Sequence, residues 1–142
     1  MHLEIIEVKN TFGSYVVLDI VVALLLFASG PSVMAHHSSA MFDAQNELIL
    51  TGIVTKFDYL NPHAWLYISV TENDGSTTDW GFEMSAPPLL RRSGVSPNNW
   101  KPGDLVQVRT APLKDGRSAG SLRGIIKSDG STYRNAEGLI AP

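Results

Sequence analysis

The residues of this chain best suited to chemistry are three histidines and one glutamate. His36 and His37 follow Val33-Met34-Ala35, small or modest residues of the kind a signal peptidase cuts behind. Cleavage after Ala35 would make His36 a free N-terminal residue, with an α-amine and an imidazole that form one chelate. A third nitrogen from His63 completes a T-shaped set that suits copper, which tops the affinity order for nitrogen sites. His37 is the substitute third ligand if the chain runs differently. Glu83 either holds the second ring nitrogen of His63 or fills an open metal position. The plainer reading makes His36-His37 a polar chain end and leaves His63 bonded to Ser85 or Glu83. Because terminal histidines bind copper weakly in any peptide, binding alone would decide nothing.

Other chemistries find less support. Outward Trp65 and Tyr67 could form a stacking platform for a sugar or a base, or could pack beneath the N-terminal arm or the tail. Ser38 beside His37 is adjacency, not a catalytic triad. Asp79 and Glu83 share a strand face, as acids on exposed strands commonly do. Gly116 and Gly120-Ser121 make no phosphate loop. No residue is assigned a catalytic role, and the balance leans away from an enzyme. Cysteine is absent, which excludes disulfides, thiolate metal sites and thiol nucleophiles.

The elements that must position these residues read as follows. Ile20 to Ser29 is an apolar run of signal-peptide length, too short for the roughly 20 residues that span a bilayer. Glu4, Glu7 and Asp19 against Lys9 depart from a positive leader, which points to a true start further along or to spurious early residues. Cleaved export leads, followed by an uncleaved anchor and then by a buried N-terminal helix. Residues 36–46 form an arm. Glu47 to Tyr59 is one long strand, with Leu48 and Leu50 on one face, Ile53, Phe57 and Tyr59 on the other parity, and a bulge expected at Gly52.

A second strand alternates Ala64, Leu66, Ile68 and Val70 against His63, Trp65, Tyr67 and Ser69. A third, Thr78 to Met84, places Trp80, Phe82 and Met84 on the core side. Asn73-Asp74-Gly75 reads as a three-residue hairpin loop with Gly75 left-handed. This pairs Ile68 with Trp80, Leu66 with Phe82 and Trp65 with Glu83, so Glu83 becomes a diagonal neighbour of His63. A short helix over Ser85 to Arg92 takes Ser85 as its N-cap and ends at Gly94, with Trp100 packed beneath the next turn. Strands over Leu105 to Ala111 and Ala119 to Lys127 follow. The domain occupies 47–130 and a loose tail occupies 131–142. This order is that of an OB-like five-stranded barrel, all-β with one short helix; a β-sandwich is the rival.

The combination His36-His37-Ser38, Met41-Phe42-Asp43, Thr51-Gly52-Ile53-Val54 and Asn61-Pro62-His63-Ala64-Trp65 resembles a bacterial family of small secreted proteins classed as a domain of unknown function. Glu83-Met84, Arg91-Arg92 and Lys101-Pro102-Gly103-Asp104 are similar to the later part of that pattern. The resemblance implies periplasmic export and a small β-barrel, and it brings no activity. Residues 36–142 carry ten Lys/Arg against eleven Asp/Glu, so nucleic acid is not expected as a partner. The expected partners are a copper ion or an envelope protein, with membrane contact only through an uncleaved leader. The alternative function is a metal-free periplasmic binding or protein-interaction module that uses the Trp65/Tyr67 face.

Overall fold

The computed structural model describes residues 39–142. The segment expected to be a leader, His36 and His37 lie outside them. Six strands follow a 3-10 turn at Ser39–Met41: β1 (Leu48–Asp58), β2 (Trp65–Thr71), β3 (Thr77–Glu83), β4 (Leu105–Pro112), β5 (Ala119–Lys127) and β6 (Thr132–Arg134). One helix, α1 (Pro87–Arg92), sits between β3 and β4. Strand β1 pairs antiparallel with both β2 and β4, β2 pairs with β3, and β4 pairs with β5. Strand β3 then runs parallel to β5 over Gly81–Glu83 and closes the five strands into an OB-like barrel.

The β2–β3 hairpin has the register expected from its turn. Ile68 lies opposite Trp80, Leu66 opposite Phe82 and Trp65 opposite Glu83. Gly75 adopts φ 84°, and the Glu72 amide donates to the Ser76 carbonyl at 2.8 Å, which sets the loop at three residues. Leu66, Ile68, Phe82, Val106, Val108 and Leu122 are fully excluded from solvent and form the barrel core. Each contributes about 1.5–3 kcal/mol by leaving water. Trp80 is half-buried and stacks on Phe82, with centroids 6.2 Å apart.

Six residues cannot sustain a helix alone. Helix α1 is held instead by burial of Leu90 and by its C-terminal cap. There the Val95 amide donates to Leu90 O at 2.9 Å, the Gly94 amide donates to Arg91 O at 3.0 Å, and Gly94 takes φ 80°. Ser85 is not the N-cap. That position is Ala86, which has no side-chain cap, because Ser85 Oγ is taken by Arg134 Nη2 at 2.7 Å.

Two further expectations are corrected. The β1 face switch falls between Val54 and Lys56, not at Gly52. Gly52 points inward, where a Cβ would sit 2.5 Å from the Ser69 carbonyl oxygen, so the glycine permits close strand approach and Ile53 faces solvent. The segment expected as a loose tail also contains β6, which pairs Thr132, Tyr133 and Arg134 with Ile126, Ile125 and Gly124. Tyr133 packs edge-on against Trp100, with centroids 5.9 Å apart, and that contact anchors the strand.

Candidate functional site

The site is built where the barrel closes. Glu83 ends β3, with Trp65 of β2 opposite it on one side and Ser121 of β5 on the other. This leaves its side chain only 13% exposed. His63 precedes β2, just after the cis Asn61–Pro62 peptide, and Ala64 ties this entry to β3 through the Met84 amide, which donates to Ala64 O at 2.9 Å. His63 Nδ1 meets Glu83 Oε1. The diagonal relation read from the hairpin register is therefore a direct contact, in which the carboxylate orients the ring. Met84 is buried, on the core side, as the register requires.

An arm delivers the next residues. Phe42 forms a β-bridge with Leu113, the Asp43 amide donates to Pro112 O at 2.8 Å, and the Lys114 amide donates to Met41 O at 3.0 Å. The Asp43 carboxylate then accepts from Asn46 Nδ2 at 2.9 Å and from the amides of Gln45 and Asn46. These bonds, the Asn46 side chain first, hold its pKa below the ordinary carboxylate value. The arm is thus fixed before β1 begins.

Two cavities flank this arm and share Phe42, His63 and Glu83 in their walls. The larger, about 370 Å³, is mostly apolar, with Met41, Pro62, Trp65 and Leu113 around it and Arg117 at its margin. Its size falls within the range of small-molecule sites. The smaller, about 240 Å³, is polar and adds Ser85, Ser121, Arg123 and Arg134. Trp65 and Tyr67 stack outward, 6.3 Å apart and 21° from parallel. Buried Gly81 lies opposite Tyr67, where a Cβ would come within 3.2 Å of that ring. Trp65 faces the arm across the larger cavity, while the Tyr67 ring has Lys56 Nζ at 5.8 Å.

His63, Glu83 and Trp65 are therefore brought together, and Tyr67 stands apart from the cavity. Among the described residues, no three His, Cys, Asp or Glu side chains converge as a metal-binding group. Nor is any helix among them long and apolar enough to cross a membrane. The sequence reading missed Ser121, Arg123 and Arg134. A glycine inside β5, Gly124, was the available signal: it lets β6 approach so closely that any Cβ there would overlap the Asn135 carbonyl.

A family model described as a family of unknown function, DUF6152, matches residues 23–123. The chain belongs to the DUF6152 family. The match to DUF6152 takes in His36, His37, His63 and Glu83, together with the arm and β1 to β4. No curated protein matches the sequence. Among solved structures, the chain is similar to a crystal structure of mitochondrial single-stranded DNA binding proteins from S. cerevisiae, Rim1. The identity is 14%, over 58% of this chain and 92% of that one, with a TM-score of 0.45. That likeness concerns the barrel and carries no functional argument.

Proposed function

We propose that this DUF6152 protein is an exported copper-binding module of the bacterial envelope. In this reading a signal peptidase cuts after Ala35, and His36 supplies its amine and ring nitrogen. His63 supplies the third nitrogen, with His37 as its substitute. The observation that carries the proposal is the docked arm. Phe42 is bridged to Leu113, and Met41 and Phe42 line the cavity that His63 and Glu83 also line. Met41 follows His36 by only five residues, and a chain of that length spans about 17 Å when extended, which would allow a mature N-terminus at His36 to reach the cavity. The Glu83 contact on Nδ1 directs a metal to Nε2 of His63, the arrangement by which carboxylates tune histidine ligands.

The test begins with mass spectrometry of the exported protein, which should start at His36. Copper(II) titration with electron paramagnetic resonance then compares the native chain with His63→Ala and with a variant carrying one glycine before His36. Tight one-to-one binding with a nitrogen signature, lost in both variants, is the expected result. Weak binding that ignores His63 overturns the proposal.

A metal-free binding or protein-interaction role is the second reading, and Trp65 favours it because that ring walls a mostly apolar cavity of small-molecule size. Trp65→Ala would then abolish ligand binding without any dependence on the free amine.

A further inference from the structure

The smaller cavity has an unusual charge balance. Arg134 donates to Leu122 O at 2.9 Å, to Ser85 Oγ at 2.7 Å and to Tyr133 Oη at 3.3 Å, all neutral acceptors. Among the described residues it has no carboxylate partner. Arg123 has one, Glu47, at 3.7 Å, and Glu47 is shared with Arg109 at 3.9 Å. The Arg123 atom that faces Glu47 is Nε, which is buried and, at 3.7 Å, too far for a hydrogen bond, a deficit that folded proteins seldom leave unmet. Glu83, the acid in the cavity wall, is turned to His63 and pairs with neither arginine. Positive charge therefore exceeds negative around this space.

The backbone is arranged to maintain that excess. Among the described residues, Arg134 is the non-glycine residue found at positive φ, 59°, a conformation that persists outside glycine only where surroundings impose it. It lies opposite Gly124, whose missing side chain admits the chain just beyond β6. Together these features swing the Arg134 guanidinium across β5 to Ser85 on the far side of the cavity. Phe42 and Met84 add apolar surface to the same wall.

We propose that the cavity bounded by Phe42, Ser85, Ser121, Arg123 and Arg134 binds a small organic carboxylate, gripped by the two guanidinium groups. The planar fork of a guanidinium matches a carboxylate, and the apolar rim accepts a short carbon body. This site does not rest on the copper reading, because it uses neither His36 nor a metal.

The test uses the full-length chain, metal-free, with the arginine Nε–H resonances followed by nuclear magnetic resonance. Acetate, propionate and succinate are titrated against chloride at equal ionic strength, with inorganic phosphate as a separate arm. Saturable shifts of Arg123 and Arg134 with the carboxylates are expected, with affinity reduced about tenfold or more in Arg134→Gln. Arg123→Gln provides the same comparison if the first variant fails to fold, as judged by thermal melting. Shifts no larger than those from chloride, affinity unchanged in both variants, or binding of phosphate without carboxylates would each overturn the assignment.

Discussion

Glu83 Oε1 meets His63 Nδ1 at the point where β3, while paired to β2, also pairs with β5. A ring held in this way has one orientation and one tautomer imposed by its neighbour. Replacing Glu83 with Gln keeps the shape and removes the charge. On the proposed copper reading, Glu83→Gln is expected to weaken metal affinity by about 10- to 100-fold. Competition titration against a chelator measures this, and unchanged affinity would remove Glu83 from the site.

Phe42 holds the arm. Phe42→Ala deletes the ring common to both cavities and loosens the bridge to Leu113. Hydrogen exchange at the Asp43 and Lys114 amides, which donate to Pro112 O and Met41 O, should accelerate selectively while the barrel core stays protected. Uniform acceleration throughout the barrel would mean that the arm is integral to the core.

Gly120 guards the seam. Any Cβ there would overlap Thr110 Oγ1 and lie 2.6 Å from Ala111 O, at the residue paired with Phe82 across the barrel closure. Gly120→Ala is expected to cost about 2–3 kcal/mol by overpacking. Urea unfolding gives the value, and a loss under about 0.5 kcal/mol, the range of ordinary surface changes, would contradict the tight seam.

The turn before β4 supplies a pH dependence. The Lys101 amide donates to Asp104 Oδ2 at 2.8 Å, and Lys127 Nζ lies 3.0 Å away. The Lys101 amide holds the Asp104 carboxyl below its ordinary value against the opposing effect of burial, and Lys127 adds to the lowering. Because the folded pKa is depressed, this stabilisation is complete above the unfolded carboxylate value of about 3.9 and fades as pH falls through the folded one. Asp104 in turn raises the Lys127 pKa, so that contribution is present below about 10.4 and is lost at more alkaline pH. Asp104→Asn should lower stability by about 1 kcal/mol at neutral pH. Thermal melts across pH should show the gap to the native chain closing below pH of about 4.

Tyr59 ties the end of β1 to both ends of the α1 region. Its hydroxyl lies 2.9 Å from Pro87 O and 3.0 Å from Val95 O, and it donates to one carbonyl at a time. Tyr59→Phe leaves those carbonyls without that donor and should cost about 1–2 kcal/mol, measured by denaturant unfolding. No change would mean that water replaces the hydroxyl.

How much of this the sequence revealed depended on range. The β2–β3 hairpin was readable to the residue because Asn73-Asp74-Gly75 sets the register locally, and that register placed Glu83 beside His63. The β1 bulge was misplaced because a buried glycine and a face switch look alike in one dimension; only Ser69, from the neighbouring strand, distinguishes them. Arg123 and Arg134 passed unremarked, since a strand arginine ordinarily reads as a solvent-facing residue. Their placement needs β6, a three-residue strand whose partner is on β5 and whose anchor is Trp100, thirty-three residues before Tyr133.

The seam between β3 and β5 has one more implication. Glu83 and Ser121 become neighbours only after the chain between them has formed α1 and β4 and returned. The two cavities, which need the arm and β5 as well as the hairpin that carries His63 and Glu83, therefore exist only in the completed barrel. A ligand at either place binds the native state alone and adds to its stability by mass action. The melting temperature thus becomes a direct gauge of occupancy, and a sensitive screen for whatever the cavities hold.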